Sequence, residues 1–145
     1  MMATSLHIPV ALERTCELLR PSLGGPNPLA VDMTLGLGGH TEALLRAHPD
    51  LHVIGIDRDP EALSHARQRL AEFGSRVNFV HARYDQLDEV LADHHPQRCV
   101  NAIVLDAGVS SMQLDEPSRG FSYLHDAPLD MRMNPMDPVD AADLI

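Results

Sequence analysis

Apolar and polar positions along the chain alternate between helical and strand spacing, and each change of period marks a new element. Ile8, Leu12, Thr15 or Cys16, and Leu19 recur at helical spacing until Pro21, Gly24, Gly25 and Pro26 break the pattern, which predicts an N-terminal helix and then a loop. Residues 29–34 (LAVDMT) read as a short buried strand, LGLGGH as a glycine-rich turn, and residues 41–47 as a helix stopped near Pro49. A second apolar run spans residues 52–57 (HVIGID). Asp59 follows as an N-cap, with Pro60 at the first helical position and Glu61 in the first turn. Leu63, Ala66, Leu70 and Phe73 then share one helical face, with Gly74 placed for a left-handed C-cap. Residues 77–82 alternate like a strand, and Asp85 is placed to cap a helix carrying Leu87, Val90 and Leu91 that ends at His94, His95 and Pro96. Residues 100–106 (VNAIVLD) form a fourth buried run.

Strands alternating with helices at this spacing require right-handed crossovers, so the predicted fold class is α/β, a doubly wound parallel sheet with helices on both faces. After Asp106 the pattern changes to about forty residues rich in turn formers, so 107–145 is expected to be a functional loop region of a single domain spanning 1–145.

Composition narrows the classes. At 145 residues and 44% hydrophobic content the chain suits one domain with a buried core. The first twenty residues mix Glu13, Arg14 and Glu17 among apolar positions, so neither a signal peptide nor a membrane span is expected, and the chain is assigned to the cytoplasm. Cys16 and Cys99 are too few for a disulfide framework, and Cys99, opening an apolar run, is expected to be a buried thiol. The net charge of -10, with seven acids against only Arg119 and Arg132 beyond Leu114, argues against generic binding of nucleic acid through phosphates.

In an open parallel sheet, ligands bind outside the carboxyl ends of the strands where the chain order reverses. That rule selects residues 36–40, Asp57, Tyr84 and Asp106. Gly36, Gly38 and Gly39 allow a tight turn and close approach of a ligand, and the following helix offers free amides to a carboxylate. Asp57, 21 residues after Gly36, is placed to accept hydrogen bonds from both hydroxyls of a ribose, and Tyr84 to wall an adenine. A dinucleotide is the rival ligand, implying an NAD-binding oxidoreductase. Its fingerprint needs a third glycine where Thr41 stands. His94, His95 and Cys99 match no zinc spacing, Gly108 to Ser111 lacks the second glycine of a nucleophile elbow, and Asp126, Asp130, Asp137, Asp140 and Asp143 do not follow calcium-loop spacing, so no metal is predicted.

The stretches HIPV, DMTLGLGGHTEALL, IGIDRDPEAL, LDAGVSSMQLD, RGFSY and DAPLDMRMN, in this order over nearly the whole chain, resemble the signature of the RsmH (MraW) family. The resemblance implies a class I, Rossmann-like methyltransferase that transfers methyl from S-adenosylmethionine to N4 of a cytosine in the decoding region of 16S ribosomal RNA, with the small ribosomal subunit as partner. Position by position it implies cofactor contacts at Gly38, Gly39, His40, Asp57, Tyr84, Asp106 and Gln113. Gln113 comes from the resemblance alone. Ala107, Met112, Ala127 and Asn134 depart from residues frequent in the family, none at one of those contacts.

The family's chains continue further, so this chain reads as the N-terminal part of the methyltransferase domain, with 107–145 as its substrate-side loop region. Its fourth strand, internal in that fold, is expected to present an unpaired apolar edge and favour self-association. Asp106 is the candidate catalytic residue: its carboxylate, with backbone carbonyls of residues 107–110, would accept hydrogen bonds from the cytosine amine and localise its lone pair. Phe121 and Tyr123 would stack on the base while Arg119 and Arg132 meet phosphates. The alternative class is a cofactor-binding or interaction module without catalysis of its own.

Overall fold

A computed structural model of the chain describes residues 9–95 and 97–145. Ile8 and Pro96, assigned above to the first helix and to the end of the fourth, lie outside the described residues, as does His7 of the HIPV stretch. The chain divides into two units, Met1–Asp106 and Ala107–Ile145.

The first unit is a parallel sheet of β1 (Leu29–Asp32), β2 (His52–Asp57), β3 (Val77–His81) and β4 (Ala102–Val104) in the order β3-β2-β1-β4. Four α-helices accompany it: α1 (Leu12–Leu19), α2 (Gly39–Ala47), α3 (Pro60–Arg69) and α4 (Leu87–His94). Successive residues of a strand point to opposite faces, and both faces are apolar here. Ala30, Val53, Val77, Ala102 and Val104 pack with Leu44 and Leu45 of α2 and with Leu63 and Ala66 of α3, while Cys16 and Leu19 of α1 lie against the same cluster. Leu29, Val31, Ile54 and Ile56 pack on the other face with Val90, Leu87 and Leu91 of α4. Each fully buried aliphatic side chain of this kind contributes roughly 1.5–3 kcal/mol. The sheet is therefore doubly wound, as predicted.

The chain steps from β1 out to β2 and β3 and then crosses to the other side of β1 to lay down β4. That reversal opens a crevice at the carboxyl ends of β1 and β4. Among the described residues β4 pairs with β1 alone, and Ile103, level with Val31, is 48% exposed, so the apolar edge is present. No helix among the described residues is long and apolar enough to cross a membrane.

Asp59 caps α3 as expected, its side chain accepting from the Glu61 N–H at 3.0 Å with Pro60 next in the chain. Four other expectations are corrected. α3 stops at Arg69, and Phe73 is buried from a following 3-10 segment, Ala71–Arg76, drawn toward the end of α2 by Arg76, whose guanidinium donates to the Leu45, His48 and Pro49 carbonyls. Gly74, at φ 55° and ψ −127°, therefore does not form a left-handed cap. Asp85 does not cap α4 either, because it pairs with Arg83 at 2.6 Å inside the turn Tyr84–Gln86 that precedes that helix. Cys99 is exposed, since the paired part of its run begins only at Ala102.

The α3 cap yields a direct test. Asp59→Ala should lower unfolding free energy by about 1–2 kcal/mol in urea denaturation, whereas Glu61→Ala should cost less.

Candidate functional site

The backbone leaving β1 is held by two neighbours in succession. Met33 N–H donates to the Val104 carbonyl beyond β1's last paired residue, and two residues later Leu35 N–H donates to the Ile56 carbonyl, both at 2.9 Å. The glycine loop thus starts from a backbone fixed to β4 on one side and β2 on the other. Leu35 is buried, and its seat exists because β2 carries Gly55: a Cβ there would lie 2.7 Å from Leu35 Cδ2. Gly38 N–H closes the turn onto the Leu35 carbonyl at 2.8 Å. Gly38 is then the N-cap of α2 at φ 80°, a conformation that favours glycine, and a Cβ on it would come within 2.9 Å of Leu70 Cδ1 and have to displace that side chain. The first-turn amides of α2 have no acceptor within the helix and carry its positive dipole end.

Three carboxylates follow the ends of three strands. Asp57, last in β2, accepts from Gly36 N–H through Oδ2 at 2.7 Å and from Asp59 N–H through Oδ1 at 2.9 Å. Burial raises its pKa, opposed by these backbone bonds. A third backbone bond, from Arg58, also acts on this carboxylate. Asp32, last in β1, is buried; its Oδ2 accepts from the Thr41 hydroxyl at 2.8 Å and its Oδ1 from Thr34 N–H at 3.3 Å. Burial pushes its pKa up to about 6 against these bonds, and His40 and Asp57 are near enough to act on it. Asp106, just past β4, donates its backbone N–H to the Thr34 hydroxyl at 2.8 Å. Its half-exposed carboxylate lies 4.0 Å from Nδ1 of the buried His40, whose Nε2 has no hydrogen-bond partner among the described residues.

The structure therefore brings together Gly36, Gly38, Gly39, His40, Asp57 and Asp106 at the carboxyl end of one sheet. Tyr84 opens the turn after β3, half exposed, on a segment tied back to β2 by the Ala82 N–H to Asp57 carbonyl bond. Asp32 and Thr34 were not singled out from the sequence. The signal for Asp32 was a lone acid closing the apolar run LAVD, and Thr41 was noticed only as a missing glycine.

The second unit is described by itself. Ser110 and Gln113 form a capping box on α5 (Ser111–Asp115), Gln113 Oε1 accepting from Ser110 N–H at 3.0 Å. Arg132 holds Asp130 through two guanidinium nitrogens and the Asp137 carbonyl at 2.9 Å, which keeps the Asp130 carboxyl down at about 2. Arg119 donates to the Arg132 and Met133 carbonyls at 3.2 and 2.9 Å. The two guanidiniums assigned above to phosphates are thus engaged in shaping the loop. Phe121 is partly buried and Tyr123 is 97% exposed.

The donor set suits a nucleoside that carries positive charge. Three carboxylates favour a cation, and a pyrophosphate placed among them would be repelled.

Comparison with known proteins agrees with the geometry. Residues 4–145 match the MraW methylase family. Ribosomal RNA small subunit methyltransferase H of Thermobifida fusca is 54% identical over 139 residues, covering 96% of this chain and 42% of that protein. The protein of the same name from Saccharopolyspora erythraea is 53% identical over 143 residues, covering 99% of this chain and 43% of its own. The chain thus spans less than half the length of these relatives. Among solved structures, an rRNA methylase from Streptococcus thermophilus superposes with a TM-score of 0.53 at 22% identity, over 68% of this chain and 55% of the other. A Streptococcus mutans protein solved in complex with SAH gives 0.53 at 19% identity, over 77% and 60%. These two likenesses concern the fold.

Because burial raises Asp32, the folded chain keeps a proton there that the unfolded chain has already released between the ordinary carboxylate range and about pH 6. The stabilisation is complete below about pH 4 and is lost as pH rises through 6. Asp32→Asn should therefore gain on the wild type by up to about 3 kcal/mol between those conditions, read from urea midpoints across pH. Parallel pH curves for the two proteins would refute the assignment.

Proposed function

The chain belongs to the MraW methylase family, and from that premise we propose that it is the cofactor-binding part of a cytoplasmic enzyme that uses S-adenosylmethionine to methylate N4 of a cytosine in the decoding region of 16S ribosomal RNA. The observation that carries the reading is the pairing of a glycine loop with three strand-end carboxylates, a combination that suits a sulfonium nucleoside and opposes a dinucleotide.

The first-turn amides of α2, beginning at Gly39 and His40, suit the carboxylate of the methionine end. Gly38 keeps the backbone bare at that approach. Asp57 faces the ribose hydroxyls as an acceptor, as carboxylates do after the second strand of such sheets, and Tyr84 offers a flat wall for the adenine. Gln113, added by the resemblance, belongs to the second unit. When bound, S-adenosylmethionine supplies an electrophilic methyl group and leaves as a neutral thioether.

The cytosine amine is a weak nucleophile because its lone pair is delocalised into the ring. Asp106, as catalytic residue, accepts an N–H hydrogen bond from that amine, concentrating electron density on nitrogen, and takes the proton that N4 loses when its new bond to carbon forms. Orientation supplies much of the rate, since a bound base no longer has to find the methyl group from solution. The base leaves its stack to be reached. The fully exposed ring of Tyr123, with Phe121, is the stacking surface, and Arg119 and Arg132 hold the shape of the loop that presents it.

Calorimetric titration should give heat with S-adenosylmethionine and none with NAD, and Asp57→Ala should weaken binding about tenfold to a hundredfold; the reverse ligand preference would end this reading. Labelled methyl transfer to 30S subunits should be lost in Asp106→Ala while cofactor binding is at most weakened. Binding without transfer in the unsubstituted chain would instead support a module that binds the cofactor without catalysing.

A further inference from the structure

Asp106 is held where the chain order reverses, and its backbone is held by a single side chain. The Thr34 hydroxyl accepts the Asp106 N–H at 2.8 Å, a bond spanning 72 residues of sequence. Thr34 is itself fixed by its own N–H, which donates to Asp32 Oδ1, and Asp32 takes the Thr41 hydroxyl on its other oxygen at 2.8 Å. The result is one continuous path, from the first turn of α2 through the buried end of β1 to the residue after β4. Two of its three links join separate elements, the Asp32–Thr34 bond being local, and each would be absent with a side chain lacking the hydroxyl or carboxylate.

Resting on the reading of Asp106 as a cofactor and amine contact, we infer that Thr34 is a positioning residue, which sets the Asp106 carboxylate against the cofactor by anchoring its backbone across the crevice. The carboxylate itself is half exposed and meets His40 only at 4.0 Å, so among the described residues nothing on the side-chain end fixes it as closely as Thr34 fixes the backbone end. A residue just beyond a strand's last ladder bond, without that anchor, would be free to turn away. Thr34 also sits between Met33, bonded to β4, and Leu35, bonded to β2, so its hydroxyl is presented from backbone that is already rigid.

Thr34→Val keeps the shape of the side chain and removes the acceptor, while Thr34→Ser keeps the acceptor. Amide hydrogen exchange by NMR on the ligand-free chain should show the Asp106 amide exchanging faster in Thr34→Val and at the wild-type rate in Thr34→Ser, with the Val31 and Ile54 amides unchanged as a check that the sheet is intact. Titration of S-adenosylmethionine should show Thr34→Val weakening binding about threefold to tenfold, Thr34→Ser restoring it, and Thr34→Val having no further effect when added to Asp106→Ala. An Asp106 amide indifferent to Thr34→Val overturns the inference without reference to any ligand. Equal weakening with and without Asp106 overturns it too, since Thr34 would then act on the loop rather than through Asp106. A wild-type chain that takes up no S-adenosylmethionine overturns both this inference and the reading beneath it.

Discussion

The residues after β1 must serve two neighbours that part company. Met33 still belongs to the ladder with β4, while Leu35 has moved to β2, so the backbone between them bridges the point where the sheet's order reverses. A chain pinned at both ends of a two-residue span has little freedom, and the glycine turn inherits that rigidity. Asp57 adds a third attachment by taking the Gly36 amide. The loop is therefore preorganised by main-chain bonds, and its ability to receive a ligand follows from the sheet rather than from the loop's own packing.

Much of this was legible in the sequence, for identifiable reasons. Strands buried on both faces read as unbroken apolar runs, and LAVD and HVIGID announced β1 and β2 plainly. Asp59 and Pro60 marked the start of α3 because capping depends on local geometry alone. The end of that helix was misread because a distant partner decides it: Arg76 reaches the carbonyls at the end of α2, a contact no spacing rule encodes. Cys99 was misplaced for a related reason, since only pairing with β1 determines how much of its run becomes strand. At the candidate site, the glycines and Asp57 could be found by position relative to the strands. Thr34 could not, because its importance lies in a bond to a residue 72 positions away.

The acidic balance of the chain also looks different once partners are known. Asp32, Asp57 and Asp106 concentrate negative charge at the carboxyl end of the sheet, where it suits a cationic ligand. In the second unit Arg119 and Arg132 tie the loop internally, and Asp140 and Asp143 each donate a backbone N–H to the other's carboxylate. The proposed contact with an unstacked base falls to the exposed ring of Tyr123, which a base can meet face to face.

The hydroxyl of Thr41 and the carboxylate of Asp32 form a matched pair inside the protein. Replacing the threonine by glycine, the single step that would complete a dinucleotide fingerprint, strands an acid in the interior with one of its acceptors unmet. Replacing the acid first by a side chain without an acceptor leaves a hydroxyl with no counterpart. The two positions are therefore coupled, and a change at either to a residue lacking its polar group is penalised for as long as the other stays as it is.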